Sequence, residues 1–201
     1  MTTAWHGLTG RADLKPGEWL AVIGTGGVGL SAVMLGRAMG ARVVAVDLVP
    51  EKLELAKAEG AEATVCASGR EAAEAVRDIT GGGAHVAIEA LGITATADTA
   101  LRCLRKMGRM IPIGLPAGDH ATQALPWDVL YAGQLSVHGT RGMPAWRYPS
   151  LLSLIEGGLD LSGLVSRRIG LSDVGAELSL FDGAAPAGVA VINRFEGAPP
   201  R

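Results

Sequence analysis

The stretch VIGTGGVG at residues 22–29 places Gly24, Gly26 and Gly29 at the spacing G-x-G-x-x-G. Glycine is abundant in this chain, with 29 of 201 residues, so chance alone gives this spacing about 0.6 times in the sequence. The spacing therefore carries little information by itself. Its meaning depends on the secondary structure predicted on either side of it.

The sequence around the glycines predicts a strand, a turn and a helix in that order. The apolar run WLAVI at 19–23 predicts a buried strand, and GVGLSAVMLGRAM at 27–39 has the apolar spacing of a helix. The next apolar strand, 42–46, is followed by the acidic residue Asp47, 18 residues after Gly29. This combination of a glycine loop and an acidic strand end is the arrangement that binds dinucleotides.

The residues of this arrangement have distinct physical roles in holding a dinucleotide. Gly24 allows the tight turn, Gly26 lets the backbone approach the pyrophosphate, and Gly29 brings the helix close to the strand. The amino terminus of the helix favours phosphate through its N–H groups and its positive dipole end. The Asp47 carboxylate accepts hydrogen bonds from the adenosine ribose and repels a 2′-phosphate, which predicts NAD as the cofactor. The alternative is a tight turn in another doubly wound fold, with Asp47 capping a loop.

The remainder of the chain continues the alternation of strands and helices, with glycine, proline or aspartate between them. This alternation predicts an α/β fold, a Rossmann-type doubly wound six-stranded parallel sheet with a short C-terminal appendage. We predict a dinucleotide-binding domain at 1–145 and a different packing layer at 146–201. The predicted strands are 19–23, 42–46, 63–67, 85–91, 109–115 and 134–139.

Composition argues against several classes of function. The net charge of −2, with acidic and basic residues interspersed, gives no concentrated positive field for nucleic acid or an anionic membrane. No apolar run reaches the roughly 20 residues that span a bilayer, and we expect a cytoplasmic protein. Cys66, Cys103 and the four histidines lack metal-ligand spacing. We therefore expect neither a metal site nor a catalytic residue in this chain.

Four segments carry a resemblance to a known family. They are GTGGVGLSAVMLGRAMGARVVAVD at 24–47, EKLELAKAEGA at 51–61, EALG at 89–92 and KMGRMIPIGLP at 106–116. Through them the chain resembles the coenzyme-binding domain of the medium-chain, zinc-type alcohol dehydrogenases. The resemblance implies hydride transfer between an alcohol or aldehyde and NAD. The alternative function is an NAD-binding module, or a truncated scaffold, without catalytic activity of its own.

The resemblance also assigns individual cofactor contacts. It implies that Lys52, five positions after Asp47, reaches the same ribose, and that Thr3 or its neighbour Thr2 lies near the nicotinamide. It further implies that the ends of two strands line the nicotinamide. With the glycine loop included, the candidate cofactor-binding residues are Thr3, Gly24, Gly26, Gly27, Val28, Gly29, Asp47, Lys52, Leu91, Gly92, Ile113, Gly114 and Leu115. Glu89 is an acid near the end of a predicted strand, and it either touches the cofactor or caps a loop.

The chain departs from the family pattern at two places. Family members carry an upstream catalytic domain with the zinc ligands, so we expect zinc only in a full-length relative and expect 146–201 to pack on that domain. At Val189 many members have an arginine that contacts the pyrophosphate, and Arg194 or Arg141 is the candidate replacement. The resemblance also implies a homodimer through the predicted edge strand 134–139.

Overall fold

The computed structural model describes residues 1–122, 124–182 and 186–195. Six strands form one parallel sheet and two more form a small separate sheet. The strands are β1 Trp19–Ile23, β2 Arg42–Asp47, β3 Ala63–Cys66, β4 Ala84–Glu89, β5 Leu104–Pro112, β6 Ser136–Val137, β7 Val165–Gly170 and β8 Val189–Arg194. The large sheet has the order β3-β2-β1-β4-β5-β6, which confirms the predicted Rossmann-type α/β fold.

Helices connect the strands of the large sheet and cover both of its faces. The helices are α1 Thr2–Trp5, α2 Gly27–Ala38, α3 Pro50–Ala58, α4 Gly69–Thr80, α5 Thr94–Arg102, α6 Trp127–Gly133, α7 Tyr148–Glu156 and α8 Val174–Ser179. Among the helices that the structure describes, none has the length and apolar content needed to cross a membrane.

The central strands are buried on both faces because each is an unbroken apolar run, as expected for a parallel sheet between two helical layers. Leu20 and Val22 of β1 belong to one core together with Leu30 of α2. Ala21 and Ile23 point to the opposite face and belong to a second core with the helices on that side. The alternating side chains of one strand thus contribute to both cores.

The strand order reverses beside β1, and this reversal locates the candidate site. β1 pairs with β2 on one side, where Val22 lies opposite Ala45, and with β4 on the other, where Val22 lies opposite Ile88. From β1 the sheet continues through β2 to β3 on one side and through β4 to β5 and β6 on the other, so the two halves of the sheet extend in opposite directions from this point. In open parallel sheets such a point leaves a crevice at the carboxyl ends of the strands, where ligands bind.

The predicted bounds of one strand, 109–115, differ from those of β5. The strand begins earlier, at Leu104, and residues 105–108 form a bulge between the pairs Ala84–Leu104 and Val86–Arg109. Its last residue is Pro112, so Ile113, Gly114 and Leu115 belong to the following loop. A continuous run of apolar residues predicted the strand but gave no signal for the bulge.

Packing becomes sparse after β5. The predicted strand 134–139 is reduced to the two residues of β6, and both are exposed. Among the described residues after Pro112, Leu151 of α7 is the only fully buried apolar side chain. α7 lies against the amino-terminal segment, where the Trp5 indole N–H donates to the Ser150 hydroxyl at 3.0 Å. β7 and β8 pair only with each other.

Candidate functional site

The glycine loop connects the carboxyl end of β1 to the amino terminus of α2. Gly24 has a φ of +90°, a left-handed conformation that favours glycine. Its N–H donates to the Val46 carbonyl of the neighbouring strand at 2.8 Å. A Cβ at this position would also overlap the Leu91 side chain. Gly24 therefore makes the turn that brings the loop across the carboxyl edge of the sheet.

The next two glycines of the motif have opposite surroundings. A Cβ at Gly29 would overlap the carbonyl oxygen of Gly24, so the helix can approach the strand only without a side chain there. A Cβ at Gly26, in contrast, would meet no atom within 4 Å. The backbone of Gly26 thus faces open space at the start of α2, and Val28 in the first helical turn is 41% exposed. An anion can reach this helix terminus.

The start of β8 lies directly against the glycine loop. A Cβ at Gly27 would be 2.8 Å from the Val189 side chain, so Val189 occupies a position beside the predicted pyrophosphate site. Arg194 lies at the other end of β8, about 16 Å away along an extended strand, and its guanidinium is 3.7 Å from the Asp173 carboxylate. This geometry gives no support to Arg194 as the replacement for the family's arginine. Arg141 makes no hydrogen bond or ion pair with the described residues.

Asp47 ends β2, and both of its carboxylate oxygens accept hydrogen bonds from the protein. Oδ2 accepts from the Thr25 N–H at 2.8 Å and from the Thr25 hydroxyl at 3.0 Å. Oδ1 accepts from the N–H groups of Leu48 at 2.8 Å and Val49 at 3.1 Å. Asp47 therefore caps its own loop and also links that loop to the glycine loop. Lys52 follows in the first turns of α3 and is half-buried.

A cavity of about 320 Å³ opens beside Asp47, between the carboxyl ends of the strands and the starts of α4 and α5. Much of its wall is apolar. Its lining residues are Ile23, Gly24, Val46, Asp47, Leu48, Ala67, Ser68, Gly69, Leu91, Ile93, Ala95, Thr96 and Thr99. Sequence reasoning missed most of this wall, because small residues after β3 and β4 carry no motif. The only indication that the sequence gives for these residues is that each follows a predicted strand.

Glu89 is the last residue of β4, and its side chain is only 1% exposed. Its Oε1 accepts hydrogen bonds from the Leu91 N–H at 2.8 Å, the Gly92 N–H at 2.9 Å and the Thr96 hydroxyl at 2.7 Å. Of the two roles considered for Glu89, this geometry favours capping of the loop that follows the strand.

The two loops predicted to line a nicotinamide lie against each other. The carbonyl oxygen of Glu89 accepts hydrogen bonds from the N–H groups of Ile113 at 2.8 Å and Gly114 at 3.0 Å. A Cβ on either Gly92 or Gly114 would overlap the backbone of the opposite loop. Leu115, at the tip, is largely exposed. The loops after β4 and β5 therefore form one surface at the carboxyl edge of the sheet.

The amino-terminal helix also lies near this edge. Thr3 is half-buried in α1, and the following turn carries Gly7. A Cβ at Gly7 would lie 3.3 Å from Ile111 and 3.5 Å from Ile113. The helix that carries Thr3 is therefore adjacent to the loop after β5.

The remaining titratable side chains add no metal-binding group to the described part of the chain. Among the described residues, no group of three or more His, Cys, Asp and Glu side chains could hold a metal ion. Burial raises the pKa of the Cys103 thiol to about 12, so this thiol stays protonated at neutral pH. Burial lowers the pKa of His6, and Arg147 and Arg11 lower it further.

These features together define a Rossmann-type domain with an accessible helix amino terminus, an acidic strand end and an adjacent apolar cavity. A family model described as zinc-binding dehydrogenase matches residues 27–157 of the chain. The chain belongs to this family, and the resemblance stated from the sequence is confirmed.

Individual relatives in the family are alcohol dehydrogenases. The chain is 42% identical over 102 residues to an alcohol dehydrogenase of Geobacillus stearothermophilus, covering 51% of this chain and 30% of the relative. It is 32% identical over 188 residues to an alcohol dehydrogenase of Cupriavidus necator, covering 90% of this chain and 50% of the relative. The chain thus spans half or less of the length of these relatives.

Solved structures have the same fold as this chain. The alcohol dehydrogenase TADH from Thermus sp. ATN1 has a TM-score of 0.79 at 29% identity, covering 90% of this chain and 52% of that one. The 2R,3R-butanediol dehydrogenase from Bacillus subtilis has a TM-score of 0.83 at 23% identity, covering 96% of this chain and 55% of that one. At that identity, the second comparison supports the fold alone.

Proposed function

We propose that this chain is the NAD-binding portion of an alcohol dehydrogenase-like oxidoreductase. The observation that carries the proposal is the combination of Gly26, open to solvent at the start of α2, with Asp47 and the apolar cavity on the same edge of the sheet. Together these features offer a phosphate site, a ribose acceptor and a base-sized pocket in the order in which a dinucleotide presents its parts.

Each part of the edge has a defined task in this proposal. The N–H groups in the first turn of α2 bind the pyrophosphate. The side of the Asp47 carboxylate that faces the cavity accepts the ribose hydroxyls, and Lys52 approaches from α3. The cavity takes the adenine. The loops after β4 and β5, with Thr3 nearby, orient the nicotinamide, which supplies the hydride acceptor or donor when NAD is bound.

We further propose that the chain alone binds NAD and does not oxidise alcohols. An unactivated alcohol has a pKa near that of bulk water, about 16, so hydride removal requires a group that stabilises the alkoxide. The described residues offer no donor set for zinc, and no histidine among them has a carboxylate partner that would make it an effective base. In this proposal the substrate-activating groups come from a catalytic domain, as the resemblance to the zinc-type alcohol dehydrogenases implies.

The decisive experiment is titration of NAD into the 201-residue chain by calorimetry, with Gly26→Ala as the informative variant. A Cβ at Gly26 meets open space in the free protein, so we expect the melting temperature to stay within about 2 °C of wild type. The same Cβ would stand where the pyrophosphate approaches, so NAD affinity should fall at least about tenfold. Folded wild-type chain that fails to bind NAD would contradict the proposal.

Absorbance at 340 nm with primary and secondary alcohols tests the second part. Steady NADH formation by the chain with stoichiometric zinc would refute it and require a catalytic site not identified among the described residues.

We also propose a cytoplasmic location, because the free thiols of Cys66 and Cys103 fit a reducing compartment.

A further inference from the structure

Thr25 is the residue between the first two motif glycines, and its side chain is only 1% exposed. Its N–H and its hydroxyl both donate to the same oxygen, Oδ2 of Asp47, at 2.8 and 3.0 Å. The other carboxylate oxygen is held by Leu48 and Val49, which belong to the loop of Asp47 itself. The contacts from Thr25 are therefore the ones that fix the carboxylate relative to the glycine loop.

We propose that Thr25 is a positioning residue that determines the preference for NAD over NADP. The inference rests on the proposed function, since it concerns how Asp47 discriminates between the two dinucleotides. Thr25 is buried behind the carboxylate and does not need to touch the cofactor. It acts through Asp47 by keeping the carboxylate directed toward the ribose.

The physical argument concerns how Asp47 can avoid a 2′-phosphate. A carboxylate that turns freely can move its charge away from the phosphate and reduce the repulsion. Turning Asp47 breaks both bonds to Thr25, and each hydrogen bond to a charged acceptor shifts an equilibrium by roughly tenfold or more. The Asp47 carboxylate therefore stays in place, and the full repulsion between it and the 2′-phosphate opposes the binding of NADP.

The hydroxyl is the part of Thr25 that, among uncharged aliphatic residues, only serine could also supply. The N–H to Oδ2 is available with any residue except proline, whereas the second donor requires a side-chain hydroxyl at this position. Thr25→Val removes that donor with little change of shape and puts a methyl group against a carboxylate oxygen. Thr25→Ser keeps the donor and removes only the methyl group.

The experiment is calorimetric titration of NAD and NADP into wild type, Thr25→Val and Thr25→Ser. For Thr25→Val we expect NAD to bind about tenfold more weakly, the scale of one hydrogen bond to a charged group. The ratio of NAD to NADP affinity should fall at least about threefold because the repulsion is partly relieved. Thr25→Ser should restore the wild-type ratio to within about twofold.

Ser162→Ala serves as the control, because the Ser162 hydroxyl also donates to a carboxylate, that of Asp160, at 2.9 Å, and neither residue lines the cavity beside Asp47. It should leave the ratio unchanged. Thr25→Ala repeats the test if Thr25→Val does not fold, and Asp47→Gly gives the largest loss of selectivity obtainable. A ratio unchanged in folded Thr25→Val or Thr25→Ala would overturn the inference, even if both affinities fell together. Wild-type chain that binds neither dinucleotide would instead refute the proposed function.

Discussion

Two strands of nearly the same composition have opposite surroundings in this molecule. β2 has the sequence RVVAVD, and its four central residues are buried. β8 has the sequence VAVINR, and each of its residues is half-buried or exposed. β2 lies between two other strands and two helical layers, whereas β8 pairs only with β7. The comparison teaches that apolar residues determine that a strand forms, while the neighbouring layers determine whether it is buried.

The exposed face around β8 has the composition of a contact surface. Its exposed apolar side chains include Leu171, Leu178, Leu180, Phe181, Ile192 and Phe195. Where exposed apolar side chains form one large patch, they mark a surface that another domain or chain covers. That 146–201 packs on a catalytic domain stays a prediction, and α7 packs on the helices of the large sheet.

The largest effect expected from this comparison comes from placing the same charge in each strand. Val44→Asp in β2 buries a carboxylate in a core that is fully closed, so we expect the free energy of unfolding to drop by more than about 4 kcal/mol. Val191→Asp in β8 leaves the carboxylate in contact with water and should lower the free energy of unfolding by no more than about 1 kcal/mol, the span of strand propensities. Urea denaturation followed by circular dichroism measures both. A large loss for Val191→Asp would mean that β8 is buried in solution.

A second pair of variants applies one substitution to two helical glycines. Gly29→Ala in α2 forces a Cβ against the Gly24 carbonyl oxygen and should cost about 2–4 kcal/mol. Gly175→Ala in α8 meets open space and removes the backbone entropy of glycine, so it should stabilise by up to about 1 kcal/mol. Thermal unfolding of both variants gives the comparison. Equal shifts of the same sign would contradict the described helix–strand contact.

How much the sequence predicted depends on the same difference between the two regions. The glycine spacing, the apolar strands and Asp47 predicted the doubly wound sheet and the phosphate loop, because each is encoded by adjacent residues. The bulge at 105–108 and the short β6 were not predicted, because they depend on pairing with β4 and β5. Local periodicity contains no information about such pairing.

The candidate site divides in the same way. The motif predicted the loop and the acid, but it gave no signal for the cavity wall after β3, where Ala67, Ser68 and Gly69 are small residues without a pattern. It also did not predict the two bonds from Thr25 to Asp47, since the position between the motif glycines is not specified by the motif. Contacts between separate loops required the fold.

A third prediction concerns the exposed edges of the two sheets. Val137 in β6 and Val191 in β8 are both 38% exposed and both lie on edge strands, which makes them a matched pair. If the chain forms a homodimer through β6, Val137→Lys brings two like charges together across the twofold axis and should weaken the dimer about tenfold, or about 1.4 kcal/mol. Val191→Lys should leave it unchanged. Light scattering over a range of concentrations measures this. A wild-type chain that stays monomeric throughout would refute the dimer.

The smallest expected effect is a pH dependence that arises in the buried half of the molecule. His85 is the second residue of β4, and its Nδ1 accepts a hydrogen bond from the Trp19 N–H at 3.0 Å. Burial lowers the pKa of His85, and Arg105 and Arg109 lower it further against the opposing effect of Glu18. Protonation would place a hydrogen on Nδ1 facing another N–H group, so the folded state favours neutral His85.

The sign of the pH dependence follows from this lowered pKa. Because the unfolded chain binds the proton more readily, the stabilisation from neutral His85 is complete above the unfolded pKa, about 6.5, and is lost as the pH falls below it. We therefore expect wild type to be less stable at pH 5.5 than at pH 7.5, and His85→Gln to show a smaller difference between the two. His120→Gln, in the exposed segment after β5, should retain the wild-type difference. Urea midpoints at both pH values test this, and a difference that persists undiminished in His85→Gln would assign the effect to another group.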